Sequence, residues 1–101
     1  MIKIKVSKNG NIINNIIITG HANYAEYGKD IVCAAVSATV LTTINGIIAI
    51  DNSILEVSNK QDKMIIDIKK EEIISQILIN NMINSLKELV IEYPKNIKIE
   101  I

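Results

Sequence analysis

The sequence has no tryptophan and no phenylalanine, and its aromatic residues are three tyrosines. It has no excess of either charge, because eleven basic residues, all lysine, are scattered among eleven acidic ones. Nucleic-acid-binding proteins usually carry a basic stripe that releases counterions from phosphates, and single-strand binders add aromatic side chains on which bases stack. Three tyrosines without such a stripe make a poor site. We therefore expect no direct binding of nucleic acid and no basic patch for a membrane surface.

One cysteine, Cys33, and one histidine, His21, are present. A single cysteine excludes an internal disulfide, which suits the reducing cytoplasm where we expect the protein to act. The pair also falls short of the usual ligand sets for zinc, so no metal site and no other cofactor are expected. The first residues alternate between apolar and polar instead of forming a continuous apolar region, so no signal peptide is expected.

Charged residues are missing between Ile31 and Ile50, a stretch of twenty residues that is long enough to span a bilayer. It contains several polar residues, among them Ser37 and Asn45, and strand-like segments lie on both sides. A buried central helix fits this context better than a membrane span, so no membrane association is expected. Because the helix is apolar nearly all round, we expect it to be covered on more than one side, and a second subunit is one source of that cover.

Alternation of apolar and polar residues predicts five strands. Asn9-Gly10 predicts a tight hairpin turn between the first two, since both central residues of a type I′ turn need positive φ. Asn14-Asn15 interrupts the second strand, where a bulge is expected. The predicted strands cover residues 2–7, 12–18, 53–59, 63–69 and 97–101.

A second helix is predicted because apolar residues between Ile73 and Tyr93 recur at steps of three and four. Glu71 and Glu72 are placed in its first turn, where acidic side chains favour the helix dipole, and Pro94 ends it. The element order is therefore ββαββαβ, within a single domain of all 101 residues. Because hairpins dominate that order, we expect an α+β fold with a mainly antiparallel sheet and two packed helices.

The segment from Gly20 to Asp30 is polar and without periodicity, so it is predicted to be a loop. Gly20 and Gly28 bracket most of it and allow backbone angles that other residues avoid, so both are predicted to act as hinges. Asp30 is predicted to be the N-cap of the first helix. Cys33 then lies in the first turn of that helix, and His21 lies at the other end of the loop.

The placement of Cys33 and His21 on either side of this loop favours thiol chemistry. A thiolate is the reactive form of cysteine, and a helix N-terminus or a nearby imidazolium favours the thiolate. Free N–H groups of the first helical turn would stabilise an oxyanion, and His21 would take the thiol proton and return it to a leaving amine. The residues alone leave two alternatives open, an inert buried Cys33 and a His21 that bonds to backbone.

Four further residues have two interpretations each. Asp30 either caps the helix only or also orients the imidazole as a third catalytic group. Ser37, one turn after Cys33, either bonds to the nucleophile or packs against its neighbours. Tyr24 and Tyr27 either cover the loop or contact a substrate.

Residues 20–22 and 28–37 carry a specific motif: G-H-A, a short gap, then G-x-D-I-V-C-A-A-x-S. This motif closely resembles that of the ribosomal-processing cysteine proteases called Prp. The resemblance implies a cytoplasmic endopeptidase of Firmicutes and related bacteria. Such an enzyme removes a short amino-terminal extension from ribosomal large-subunit protein twenty-seven, cutting after an aromatic-rich motif. It also implies Cys33 as nucleophile, His21 as base, a further motif position at Ser37, a homodimer, and a loop that is mobile in the free enzyme.

Two other functions remain open at the level of the sequence. One is a non-enzymatic, ribosome-associated module in which Cys33 is structural, and it predicts that a thiol reagent neither labels Cys33 quickly nor changes any activity. The other is thiol-based acyl transfer on a small molecule, and it predicts that thioesters turn over while peptides survive.

Overall fold

The computed structural model describes residues 1–26 and 28–101. Within them, seven elements follow the predicted order ββαββαβ, which is thereby confirmed. The elements are β1 (Ile2–Asn9), β2 (Ile12–Thr19), α1 (Ile31–Ile50), β3 (Leu55–Lys60), β4 (Lys63–Ile68), α2 (Ile73–Glu92) and β5 (Ile97–Glu100). The predicted role of Tyr27 falls outside the described residues.

The strands of the described region form one sheet in the order β3-β4-β2-β1-β5. Neighbouring strands are antiparallel except β1 and β5, which run parallel because α2 carries the chain back across the sheet before β5 begins. The prediction of a mainly antiparallel sheet with two helices is confirmed. β3 begins at Leu55, later than predicted, because the side chain of Asp51 accepts hydrogen bonds from Ser53 in a turn before it.

The interruption at Asn14-Asn15 is a β-bulge, as predicted. β1 pairs with Asn15 and next with Ile13, which leaves Asn14 without a partner on that strand. The extra residue shifts the alternation, so that Ile13 and Ile16 both face the core. Gln76 of α2 bonds to both backbone groups of Ile13, at 3.0 and 2.8 Å, and so fastens the bulge to the helix.

One face of the sheet is buried beneath the helices, and the opposite face is open to solvent. β1 illustrates this arrangement, because Ile2, Ile4 and Val6 are buried whereas Lys3 and Lys5 are exposed. Isoleucine, valine and leucine fill most of the core in place of aromatic residues. The domain is therefore a two-layer α+β structure, and its loops lie at the ends of the layers.

Helix α1 buries a single stripe along its length. The buried residues, which recur at steps of three and four, are Val32, Val36, Val40, Ile44 and Ile47. Of an 18-residue apolar window only 28% is buried, so this chain by itself covers α1 on one side, and the expected cover on further sides stays a prediction. The reason is that two layers leave the outer face of the helix without a neighbour. By length and composition alone α1 would suffice to cross a membrane. This is weak evidence for a membrane span, because the core helix of a soluble protein passes the same test.

Helix α2 begins just after Glu72 instead of including it. The side chain of Glu72 accepts the N–H groups of Ile74 and Ser75, at 3.1 and 2.9 Å, so Glu72 is the N-cap and Glu71 precedes the helix. Both were predicted to lie within the first turn, and the cap explains the difference because an N-cap residue has extended backbone angles. Pro94 follows the helix end, as predicted.

The end of β2 provides a test of backbone packing at Gly20. Gly20 has φ +84°, and a Cβ there would collide with the backbone oxygen of Met1, whereas Gly10 has φ +65° in open space. We expect Gly20→Ala to lower the free energy of unfolding by about 3 kcal/mol and Gly10→Ala by about 1 kcal/mol. Urea titrations of the two variants and the parent measure this. Equal losses would contradict the close approach of Met1 to Gly20.

Candidate active site

Asp30 joins the start of α1 to the loop that precedes it. Its Oδ1 atom accepts the backbone N–H groups of Val32 and Cys33, each at 3.0 Å, which makes Asp30 the helix N-cap, as predicted. Its Oδ2 atom accepts the N–H groups of Tyr24 and Ala25, at 3.0 and 3.3 Å. One carboxylate therefore fixes both the first turn of the helix and the middle of the loop.

These four bonds hold the pKa of the Asp30 carboxyl below its usual range. The N–H of Cys33 is the largest cause. The N–H groups of Ala25, Tyr24 and Val32 lower the pKa of this carboxyl in the same direction, against a desolvation effect that raises it. Asp30 is thus held in its ionised form, the form that accepts hydrogen bonds at both oxygens.

Three N–H groups in the first turn of α1 are already donated to Asp30, so the prediction that they are free to bind an oxyanion is wrong for these three. Val32 and Cys33 donate to the side chain of Asp30, and Ala34 donates to the Asp30 carbonyl oxygen at 3.1 Å. The cap itself is the physical reason, because it satisfies the donors that a helix N-terminus otherwise leaves unpaired. A different amide faces the sulfur: Ala22 donates its N–H to Sγ of Cys33 at 3.3 Å.

Cys33 and His21 line one cavity of about 590 Å³ beside the start of α1. Asp30 and Ser37 line the same cavity, so the structure brings together all four predicted side chains. Asn23, Ala25, Gly28 and Ala34 also line it. Cys33 is half-buried and His21 is exposed, which does not fit an inert thiol sealed in the core. The lone thiol and the lone imidazole are both reachable from one solvent-open space.

No contact of the Asp30 or Ser37 side chain with the imidazole or the thiol supports the catalytic roles predicted for these two residues. In the described part of the chain, the bonds recorded for the Asp30 side chain come from backbone N–H groups and not from His21. Ser37 is exposed one turn after Cys33 and lines the cavity, while the hydrogen bond recorded to Sγ is that of the Ala22 amide. An imidazole-orienting Asp30 and a nucleophile-bonding Ser37 stay predictions.

The two glycines predicted as hinges adopt backbone angles that favour glycine. Gly20 has φ +84° and Gly28 has φ +83°, both in the left-handed region. Motion about these positions stays a prediction.

Across residues 1–26 and 28–101, no group of three or more histidine, cysteine, aspartate or glutamate side chains is placed to hold a metal ion.

Two contacts from the end of α2 hold the loop, and neither has a signal in the sequence. The ring of Tyr24 packs edge-to-face on Tyr93, with ring centroids 5.5 Å apart. The side-chain amide of Asn96 donates to the carbonyl oxygen of Ala22 at 2.9 Å, across 74 positions of the chain. No periodicity or local motif connects residues so far apart, so only the fold reveals these contacts.

A lone cysteine in the first turn of a capped helix, which shares an open cavity with a lone histidine, is the arrangement of a thiol-dependent hydrolase. In an α+β domain of this kind it points to a small cysteine protease. Comparison with known proteins supports the class, because the family model for cysteine protease Prp matches residues 1–98. The chain belongs to the cysteine protease Prp family.

Several relatives share most of their length with this chain. The ribosomal processing cysteine protease Prp of Staphylococcus aureus is 29% identical, over 97% of this chain and 94% of that protein. Its counterpart in Bacillus subtilis is 30% identical, over 81% of this chain and 80% of that protein. A crystal structure of the S. aureus protease with a covalently linked product peptide superposes with a TM-score of 0.91, at 27% identity, covering 99% of this chain and 98% of that one.

The double role of Asp30 predicts a specific pH dependence. The pKa of the folded-state carboxyl lies below its ordinary value of 3.8, so the stability it contributes is present above pH 3.8 and is lost as the pH falls through the lower, folded-state value. We expect Asp30→Asn to lower the free energy of unfolding at pH 6, with a difference from the parent that shrinks below pH 3.8. Urea titrations across this range measure it.

Asparagine keeps one capping oxygen but presents an NH₂ group where Oδ2 stood, so the loop amides lose their acceptor. Hydrogen exchange at Tyr24 and Ala25 is therefore expected to accelerate in Asp30→Asn. Asp51→Asn is the matched control, because the pKa of Asp51 is also lowered, chiefly by its bond from the Ser53 hydroxyl, yet Asp51 lies at the far end of α1. Unchanged exchange at Tyr24 and Ala25 in Asp30→Asn would contradict the loop contact.

Proposed function

We propose that this protein is a cysteine endopeptidase that removes the amino-terminal extension of ribosomal large-subunit protein twenty-seven, with Cys33 as nucleophile and His21 as general base and acid. The observation that carries the proposal is that the lone cysteine and the lone histidine line one open cavity at the start of α1. Solved structures of the similar S. aureus protease, one with a substrate peptide and one with a covalently linked product peptide, support a peptide substrate. The names of the relatives support ribosomal processing.

The reaction proceeds by two acyl transfers. His21 takes the proton from Sγ of Cys33, the sulfur attacks the scissile carbonyl carbon, and a tetrahedral oxyanion forms. His21 then gives the proton to the departing amine, which leaves a thioester on Cys33. A water molecule, deprotonated by His21, attacks this thioester, and the proton returns to the sulfur as the acid product leaves. No cofactor is needed, because every proton and electron pair is supplied by substrate, water and these two residues.

The loop between His21 and Cys33 would admit and then cover the peptide. Gly20 and Gly28 are the proposed hinges, since both adopt backbone angles open to glycine. Tyr24, which is 49% exposed beside the cavity wall, is placed to contact substrate as the loop closes. Closure would exclude water from the thioester until the amine product has left.

A second copy of this chain is the proposed neighbour of the outer face of α1. That face carries no charge along the whole helix and exposes Leu41 and Ile48, at 45% and 40% of their surface. A charge-free face can meet its own copy across a two-fold axis without like-charge repulsion. It begins beside Ser37, so a dimer formed there would place a partner helix next to the catalytic cavity. A dimeric enzyme in the cytoplasm fits a substrate made on ribosomes.

The nucleophile and the base are tested on a peptide that spans the extension and the first mature residues of the ribosomal protein. We expect Cys33→Ala to abolish cleavage and His21→Ala to lower kcat by about a hundredfold or more, because general base catalysis is lost. Ser53→Ala, a substitution in the turn before β3, is the control and should cleave normally. Liquid chromatography with mass spectrometry measures the products.

Cleavage that survives in Cys33→Ala would exclude the proposed nucleophile. Turnover of a thioester without any cleavage of the peptide would instead favour acyl transfer on a small molecule. Slow alkylation of Cys33 by iodoacetamide together with no turnover of either substrate would favour a non-enzymatic module.

The dimer is tested by placing a charge on the outer face of α1. The parent is expected at twice the chain mass of 11.2 kDa in light scattering. Leu41→Glu is expected at the single-chain mass, because an uncompensated carboxylate would be buried at the interface. Ile91→Glu is the matched control, since Ile91 is 81% exposed on α2. A parent that is monomeric at all concentrations, or a Leu41→Glu variant that stays dimeric, would contradict this interface.

A further inference from the structure

Ala22 is held from both sides at the junction between β2 and the loop. It is 1% exposed, its N–H donates to Sγ of Cys33 at 3.3 Å, and its carbonyl oxygen accepts the side-chain amide of Asn96 at 2.9 Å. The two backbone groups of one buried residue therefore connect the sulfur to a side chain at the other end of the chain. Because Ala22 directly follows His21, the same contacts also fix the backbone that carries the imidazole.

Asn96 is itself rigidly placed. It lies in the turn between α2 and β5, where its N–H donates to the carbonyl oxygen of Tyr93 at 3.0 Å and its own carbonyl accepts the N–H of Ile2 at 2.8 Å. The next residue, Ile97, is buried in the core. Because its backbone is held by these bonds, the Asn96 side chain needs little further ordering to bond to Ala22. A rigid support of this kind keeps a site in a precise geometry.

The site needs a donor for negative charge, and three of the first-turn N–H groups of α1 are already in use. The N–H groups of Val32, Cys33 and Ala34 are all taken by Asp30. The amide that faces the sulfur is that of Ala22. Negative charge resides first on Sγ and next on the oxygen of the carbonyl that Sγ attacks, two bonds from the sulfur, so a donor beside Sγ is placed to act on both.

We propose that Asn96 is a positioning residue for the protease reaction, which holds the Ala22 N–H on the charge that develops at Cys33. Asn96 touches neither sulfur nor substrate, and acts by fixing the carbonyl end of Ala22. The inference rests on Cys33 being the nucleophile, as proposed above, and adds the residue that orients the charge-stabilising amide. Preorganised donors of this kind act mainly on kcat, because they bind the transition state better than the ground state.

Two variants remove the side-chain donor in different ways. Asn96→Asp keeps the shape but offers only acceptors to the Ala22 carbonyl once ionised, and Asn96→Ala removes the group without adding charge. We expect both to lower kcat by about tenfold or more, with KM changed by less than about threefold. Asn84→Asp is the control for charge, because Asn84 is exposed on α2, and it should cleave like the parent.

A spectroscopic readout separates this role from general stability. In folded Asn96→Asp and Asn96→Ala, the amide proton of Ala22 is expected to shift and to exchange faster with solvent, while the amides of the distant β3 keep their parent values. An unmoved Ala22 amide, or a kcat within about twofold of the parent in the folded variants, would overturn the proposal. These NMR measurements need no substrate, so a failure of the ribosomal peptide as substrate is distinguishable from a failure of this inference.

A backbone substitution tests the amide itself, with Asn96 intact. Synthetic residues 1–32, in which lactate replaces Ala22 and so removes its N–H, are joined to residues 33–101 by ligation at Cys33. This ester protein is expected to lose kcat to the same extent as Asn96→Ala. Adding Asn96→Ala to it should cause little further loss, because both changes act through one group. Full activity of the ester protein, or additive losses in the combined protein, would overturn the proposal.

Discussion

The carboxylate of Asp30 accepts four backbone N–H groups, two at each oxygen, and the geometry of the site depends on this division. Oδ1 begins helix α1 and thereby fixes the position of Cys33, whereas Oδ2 holds the loop that starts at His21. A side chain with one acceptor oxygen would start the helix equally well but would leave the loop unattached. The carboxylate of Asp30 therefore couples the two halves of the site, the start of α1 and the loop before it.

Several distant segments of the chain meet at the end of the sheet that carries the site. Met1 passes so close to Gly20 that no side chain fits there, and Asn96 bonds through its backbone to Ile2 and through its side chain to Ala22. Parallel pairing of β5 with β1 brings the turn before β5 beside the loop. The far end of the same sheet has a different local feature, a bulge that Gln76 joins to α2.

Local patterns in the sequence suffice for the element order, the bulge at Asn14 and the helix cap at Asp30, because each depends on residues close together in the chain. The motif around Cys33 and His21 also suffices to predict that these two residues share one site. What could not be predicted is non-local: the bond from Asn96 to Ala22 has no trace in periodicity or composition. The use of first-turn amides by Asp30 is local, because an N-cap side chain accepts N–H groups of the turn that it begins, and the same amides are then not free for an oxyanion.

The cover of the outer face of α1 is the point at which the expectation from the sequence and the structure of the single chain differ most. An apolar helix predicts cover on several sides, yet this chain buries one stripe of it. A second copy of the chain, as proposed above, would cover the rest of the helix. Such a neighbour would lie beside the cavity, so assembly and access of the peptide would be linked.

The sulfur at the start of α1 and the sole imidazole are proposed to act together on one peptide bond. A crystal structure of Cys33→Ser with an uncleaved extended peptide tests this most directly. We expect a scissile carbonyl carbon about 3–3.5 Å from the substituted hydroxyl, with the His21 ring within about 2.6–3.2 Å of that oxygen. A peptide bound away from the cavity, or an imidazole separated from position 33 by packed side chains, would contradict it.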